Sequence, residues 1–331
     1  MWHRTTSRSN IRMLMVLLLI VFLASACSGI SIESARQLSA SGRNVAVQAR
    51  QNVLVSDHEY LRARDSEALL HGFSGTTGSN KYTEILKLYD NIHQELARRS
   101  VVFDKLADLY DAFGNLAGFD AGDQTETALG NLGGAIEEYA KQIKQPSLIS
   151  SETTAVIARI GGLIATQIQK AKIKEASIQI RARVGAFLKL LENPLVRGQV
   201  EGFRKVLISD VKAALSMLWD AGVYDPKPLL DDLGAPGGLA AQKDAAQVVK
   251  NNQKLREALG EVLDKRLTRQ TELIEEGYNA SLKALVQLMD EHKKLEEGTP
   301  LDLTRLRAVV AQLRGIVVLL VKAKTGGSTS Q

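Results

Sequence analysis

Apolar side chains recur at alternating intervals of three and four residues along most of this chain. The clearest stripe runs from about Tyr82 to Ala117 and contains one charged residue, Arg99. This spacing places the stripe on one face of an α-helix, whereas a β-strand would alternate at every second position. The pattern therefore predicts a long helix in a coiled coil or antiparallel bundle. The stripe consists of Ile85, Tyr89, Ile92, Leu96, Arg99, Phe103, Leu106, Tyr110, Phe113 and Ala117.

Six further segments show helical periodicity, and two of them carry features that predict their register or their start. The segment that begins at Ser31 has apolar residues at heptad spacing, and the last segment has Thr299 as a predicted N-cap before Pro300. The segment over 240–295 would form a helix about 80 Å long, which favours a rod over a compact globule. The heptad positions of the first segment are Val47, Leu54, Leu61 and Ala68. The six segments are 31–70, 125–144, 151–193, 196–221, 240–295 and 303–320.

Breaks in the periodicity predict where these helices end. Residues 223–238 contain three prolines and three glycines, and they are the longest break inside the body, either a hinge or an ordinary surface connection. We expect an all-α fold, an elongated antiparallel bundle of six or seven coiled-coil-like helices over 31–324, with a disordered tail over 325–331. In the segment 125–144, three glycines predict a close helix contact. They are Gly130, Gly133 and Gly134.

The first 27 residues have the organisation of an export signal. A basic stretch that ends at Arg12 precedes twelve uncharged, apolar residues, 13–24. A membrane-spanning helix needs about 20 apolar residues, so this run suits translocation and removal better than permanent spanning. Small residues, Ala24-Ser25-Ala26, then precede Cys27, which is the only cysteine in the chain.

The segment Leu23-Ala24-Ser25-Ala26-Cys27 resembles the lipobox of bacterial lipoproteins. The resemblance implies that residues 1–26 are cleaved, that Cys27 is acylated, and that 27–30 form a lipidated tether. The pattern departs from its commonest form, because Ala24 stands where a larger aliphatic residue is usual. Ala24-Ser25-Ala26 also satisfies the rule for ordinary secretory cleavage, which would leave a free thiol on Cys27. Acylation accounts for a single cysteine in an exported chain, which can form no intramolecular disulfide.

The resemblance also implies a location for the mature chain. In lipoproteins of bacteria with two membranes, a residue other than aspartate after the acylated cysteine implies sorting to the outer membrane, and here that residue is Ser28. We therefore expect a lipid-anchored protein of the cell envelope, on the periplasmic face of the outer membrane.

Charge and motifs exclude several classes of function. The net charge is +5, and three of the arginines lie in the leader, which leaves the mature chain with 39 basic and 37 acidic residues. Such a balance is not typical of a nucleic-acid-binding protein. The sequence lacks HExxH, GxGxxG, GxxxxGK[ST] and GxSxG motifs, and a single Asp90-x-x-His93 is its nearest approach to a di-iron ligand pair. We predict no catalytic residue, no metal, no cofactor and no small-molecule substrate.

Long amphipathic helices without catalytic motifs favour a role in binding. We expect a scaffold, adaptor or spacer that binds another protein, or a second copy of itself, through a helical face. A membrane-active helical protein, similar to a pore-forming toxin, is the alternative. The apolar stretch Gly315–Val321 suits it, although this stretch is under half the length needed to span a membrane. An enzyme built on a helical bundle is the third possibility.

Overall fold

The computed structural model describes residues 30–75, 79–118, 122–146, 148, 165–222, 225–234 and 237–325. Within these ranges, every regular element is helical. The helices in chain order are α1 Ile32–Ser74, α2 Asn80–Leu116, α3 Gly122–Gln142, α4 Ala165–Leu191, α5 Pro194–Val206, α6 Lys212–Asp220, α7 Lys227–Gly234, α8 Ala245–Asn251, α9 Gln253–Glu297 and α10 Leu303–Thr325, with a π-helical turn over Leu207–Val211 between α5 and α6.

Polar caps and glycines set the ends of the long helices. The hydroxyls of Ser31 and Ser79 accept hydrogen bonds from backbone N–H groups in the first turns of α1 and α2, each at 3.2 Å. These bonds satisfy donors that have no partner within the helix. At the opposite ends, Gly75 closes α1 and Gly298 closes α9 in the left-handed conformation, with φ of 66° and 71°. A residue with a side chain would be strained there.

The six longest helices pack side by side in a closed ring. Going round the ring, α1 contacts α2, and the series continues through α3, α4, α9 and α10 back to α1; α9 also contacts α1 across the centre. Three ion pairs between α1 and α2 keep an antiparallel register over most of both helices. These pairs are Arg43–Asp111, Arg50–Asp104 and Arg64–Asp90. The predicted all-α bundle is therefore confirmed.

The bundle has two distinct ends. We call the end where α1 begins the base, and the end where α1 turns into α2 the hairpin end. The 43 residues of α1 separate the two ends by about 65 Å, at a rise of 1.5 Å per residue. Helices α5 to α8 lie between α4 and α9 in sequence; α5 packs against α4 and α9, and the π-helical turn and α6 pack against α1 and α9.

The predicted stripe of α2 forms much of the core. All its members are buried except Ile85, which is partly buried, and even Arg99 is 4% exposed. This stripe faces α1, α3 and α4, so one helix contributes to three interfaces. The prediction of its register is confirmed.

The predicted heptad stripe of α1 is wrong. Leu54 is 39% exposed, whereas its neighbour Val53 is 5% exposed. The buried face of α1 instead contains many small residues, including Ala46 and Ala49, which let neighbouring helices approach closely. A stripe defined by large aliphatic residues misses this face because alanine, serine and glycine pack without contributing a strong apolar signal.

Two predicted boundaries also differ from the structure. The segment 240–295 is interrupted at Asn252, whose side chain caps α9 by accepting from the N–H of Leu255 at 3.1 Å. Val248 therefore lies on the short α8 and is 48% exposed, outside the predicted stripe. The last helix begins at Leu303, not at Pro300, because Asp302 accepts from the N–H of Thr304 at 3.2 Å.

Other predictions about connections have mixed outcomes. The segment 223–238 contains α7, so it is not a continuous loop. Gly130 and Gly134 have open space around them, so these two glycines make no close helix contact, although Gly133 is buried. Residues 151–164 and the predicted tail beyond Thr325 lie outside the described residues.

Candidate functional site

Cys27 and the predicted signal peptide lie outside the described residues. The first described residue, Ile30, is 7% exposed and belongs to the hydrophobic core at the base. Helix α1 begins two residues later, at Ile32. Any group attached to Cys27 is therefore joined to the base by a connection of about 10 Å at most.

A buried charged cluster lies in the middle of the bundle. Glu95 and Arg99, one helical turn apart on α2, are 3% and 4% exposed. The Nε and Nη2 atoms of Arg99 donate to the same oxygen, Oε1 of Glu95, at 3.1 and 2.7 Å. The hydroxyl of Tyr139, on α3, donates to that oxygen at 2.6 Å. The guanidinium also lies 5.5 Å from the centre of the Tyr278 ring, on α9.

This cluster joins three helices, and its buried charges are stabilised by their partners. Burial by itself disfavours the charge of Arg99, but Glu95 and the neighbouring tyrosines raise the pKa of Arg99 above its usual value. Burial, more than the neighbouring charges, raises the pKa of Tyr139 well above its usual value. A buried ion pair with additional hydrogen bonds is costly to break from one side, since the remaining charge loses its partner.

A small cavity adjoins the charged cluster. Its volume is about 20 Å³, which is room for one water molecule. Two amide oxygens that line it have no hydrogen-bond partner among the residues that the structure describes: Oδ1 of Asn52, on α1, and Oε1 of Gln199, on α5. The backbone of Gln199 also accepts from the hydroxyl of Tyr60 at 3.2 Å. One buried water that donates to both amides would satisfy these groups, so the geometry suits structural water better than a substrate.

A second buried polar cluster is centred on His292, on α9. Its Nε2 lies 2.9 Å from the hydroxyl of Tyr110, on α2, and its Nδ1 lies 2.8 Å from the hydroxyl of Ser177, on α4. Tyr110, Ser177 and His292 are all 0% exposed. At the edge of the cluster, Arg181 forms a bidentate pair with Glu296, at 3.0 and 2.8 Å.

Burial lowers the pKa of His292 to about 3, and the nearby charge of Arg181 acts in the same direction. The ring is therefore neutral at neutral pH and can accept a hydrogen bond at one nitrogen while it donates at the other. A serine beside a histidine could in principle form a nucleophile–base pair. Here neither Ser177 nor His292 is exposed to solvent, so a substrate has no access, and we assign the cluster to packing.

Asp90 and His93, the nearest approach to a di-iron ligand pair in the sequence, each contact another residue. Asp90 pairs with Arg64 at 3.4 Å, and Nδ1 of His93 lies 2.7 Å from Asp57. Among the residues that the structure describes, no three histidine, cysteine, aspartate or glutamate side chains are arranged to hold a metal ion.

Three large apolar side chains near the hairpin end are exposed to solvent. Leu69 and Phe73, one turn apart at the end of α1, are 49% and 47% exposed, and Leu88, near the start of α2, is 55% exposed. We call these three residues the hairpin tip. Because large exposed apolar groups are costly in water, they mark a candidate contact surface.

None of the described helices is both long enough and apolar enough to cross a membrane. The apolar stretch Gly315–Val321 is divided between two environments, since Ile316 and Leu320 are buried whereas Val318 and Leu319 are exposed. The inward face of this stretch therefore belongs to the bundle core, and its other face lies at the surface.

Sequence reasoning missed both buried polar clusters. Arg99 was the single charge within an apolar stripe, and this was the signal that could have indicated a buried ion pair. Nothing local to His292 or Tyr110 indicated that they meet, because 182 residues separate them. No family model, curated protein or solved structure matches the chain.

Proposed function

We propose that this chain is a lipid-anchored protein of the bacterial cell envelope that acts as a scaffold, adaptor or spacer by binding another protein through an exposed helical face. It is made with a cleaved signal over 1–26 and is held by lipid on Cys27, on the periplasmic face of the outer membrane. The proposal includes no enzymatic activity and no cofactor.

The position of the hairpin tip carries this proposal. The base holds Ile30, three residues after Cys27, and the hairpin tip lies at the other end of α1. A chain held by Cys27 would keep its base beside the lipid, while Leu69, Phe73 and Leu88 remain available to a partner. Buried charged and polar clusters link the helices between these ends, which suits a body that must keep its shape.

Crosslinking in intact cells tests the protein-binding role. A photoreactive amino acid placed at Phe73 should crosslink to one reproducible protein, or to a second copy of this chain. The same group at Asn131, an exposed position on α3, is the matched control. The crosslink should be lost when Leu69→Ser is added, and circular dichroism should show that this variant stays folded. Absence of any crosslinked partner at the hairpin tip would contradict the proposal.

The anchor is tested separately. Cys27→Ala should abolish labelling by a fatty-acid analogue and release the body from membranes or leave it unprocessed. Ser28→Ala, which alters the neighbouring residue, should keep the label. Labelling that persists in the Cys27→Ala variant would mean that lipid is not attached there.

A membrane-active protein is the second candidate, favoured by the exposure of Val318 and Leu319 within the apolar stretch of α10. Release of a dye from vesicles by the purified protein, independent of Cys27, would support this candidate over the scaffold.

A further inference from the structure

Helix α10 has an unusual charge composition for this protein. Residues 303–325 contain five lysines and arginines and no aspartate or glutamate. The adjacent α9 has 8 basic and 10 acidic residues over 253–297. Because all the charged side chains of α10 are positive, its exposed face attracts anions.

The groove between α10 and α1 concentrates this charge. It has a volume of about 360 Å³, and its lining includes Arg307 and Arg314 of α10 and Gln37, Ser41 and Asn44 of α1, with no carboxylate. The two arginines are seven residues apart, which places them two turns apart on one side of the helix. Within the described part of the chain, neither arginine forms an ion pair. The groove thus offers two guanidinium groups and neutral polar side chains, which are groups that bind phosphate.

Exposed apolar side chains follow the second arginine along α10. Val318, Leu319 and Val321 are 45%, 49% and 42% exposed. Val318 lies one helical turn after Arg314 and one turn before the exposed Lys322, so apolar side chains lie between basic ones along this part of the helix. Basic and apolar residues together on an exposed helical face are typical of helices that lie in the interface of a membrane.

We propose that the outer face of α10, with the groove that it forms with α1, binds the surface of an anionic phospholipid bilayer. Its arginines contact lipid phosphates, and its exposed valine and leucine side chains enter the headgroup region. A bilayer supplies both chemistries on one surface, whereas an acidic peptide supplies charge without an apolar layer. The groove also lies toward the base, since Gln37 is about one and a half turns into α1.

This inference goes beyond the proposed function because it requires neither the hairpin tip nor a protein partner. It predicts that the bundle lies along the membrane on its α10 side. The contact of α10 with the bilayer does not require the acyl group on Cys27, but it is weak by itself, so loss of the acyl group still releases the chain from membranes.

The test uses the purified full chain as cells make it, reconstituted in vesicles. An environment-sensitive fluorescent amino acid is placed at Val318, or at Glu126 on the exposed side of α3 as the control. Vesicles contain phosphatidylcholine alone or phosphatidylcholine with phosphatidylglycerol. We expect a blue shift at position 318 that requires phosphatidylglycerol, and no shift at position 126. Fatty-acid labelling of Cys27 is measured on the same samples, so failure of the anchor and failure of this inference are distinguishable.

Charge reversal provides the matched comparison. Arg307→Glu with Arg314→Glu should abolish the shift, whereas Lys87→Glu with Arg98→Glu, the same change of charge on α2, should leave it intact. High salt should reduce the shift. Equal emission in both kinds of vesicle, or a shift that survives the reversal at 307 and 314, would overturn the proposal. A blue shift of equal size caused by soluble polyglutamate would overturn the proposal and assign the face to an acidic protein. Release of dye from the vesicles would also overturn it, because it would indicate insertion instead of surface binding.

Discussion

Gly42, on α1, lies directly against the ring of Tyr110, on α2, and a Cβ atom at this position would overlap the ring carbons. The ring is 0% exposed, and its hydroxyl reaches Nε2 of His292 on α9. The absence of a side chain on Gly42 therefore lets α1 pack closely against α2 at the point where Tyr110 reaches His292 of α9. Gly42 is required for the close approach of α1 and α2, because a residue inside a helix makes no use of the conformational freedom of glycine.

We expect Gly42→Ala to destabilise the protein by about 1–3 kcal/mol, because an added methyl group must displace a buried ring. Gly130→Ala is the matched control on the exposed side of α3, where nothing lies within 4 Å of the added atom. It should stabilise the protein by about 0.5–1 kcal/mol through helix propensity. Urea unfolding followed by circular dichroism measures both changes, and equal effects of the two variants would contradict the contact.

The charged cluster on α2 should show strong coupling between its members. Replacing Glu95 by glutamine leaves the charge of Arg99 buried without a counter-ion, and we expect a loss of about 3–5 kcal/mol. Arg99→Met should cost a similar amount. The double variant should cost clearly less than the sum of the two, because it leaves no unpaired charge. A double-mutant cycle by urea unfolding checks this, and additive losses would show that the pair does not interact.

His292 predicts a dependence of stability on pH. Its pKa is about 3 in the folded state and near 6.5 when unfolded, so the unfolded chain binds an extra proton between these values. The contribution of neutral His292 to the free energy of unfolding is fully present above pH 6.5. As the pH decreases from 6.5 toward 3, this contribution falls by about 1.4 kcal/mol per pH unit. Arg181 and Glu296, which pair with each other at the edge of the cluster, are the charged groups that face His292.

The unfolding free energy measured between pH 7 and pH 4 tests this prediction. His292→Gln should be less stable at pH 7 but should lose less stability on acidification than the unmodified protein. His58→Gln is the control, because His58 is about half exposed. A pH slope that does not change in the His292→Gln variant would assign the acid sensitivity to other groups.

Neighbouring residues in α1 test the register that the structure shows. Val53→Ala removes two methyl groups from a side chain that is 5% exposed, and we expect a loss of about 1–3 kcal/mol. Leu54→Ala should change stability by less than about 0.5 kcal/mol, because its side chain is partly in solvent. A larger loss for Leu54→Ala would restore the heptad register that the sequence predicts.

The candidate sites could be predicted only in part. The absence of catalytic motifs and the signal for acylation at Cys27 come from local sequence patterns, and the proposals about the envelope still rest on them. The surface of α10 could have been recognised from its five basic residues, since no acidic residue lies among them. The exposure of Val318 and Leu319 could not have been recognised from the sequence, because the apolar run Gly315–Val321 gives no sign of which residues face inward.

Helix type and position are largely determined by the sequence alone. The stripe of α2 was correctly predicted because intervals of three and four residues place side chains on one helical face, whatever the neighbouring helices are. The tertiary structure decided which face of α1 is buried and which distant residues meet. Small residues such as Ala46 and Gly42 give little apolar signal, yet they allow the closest packing. Contacts such as Tyr110 with His292 depend on the arrangement of whole helices, because no local interaction brings these residues together.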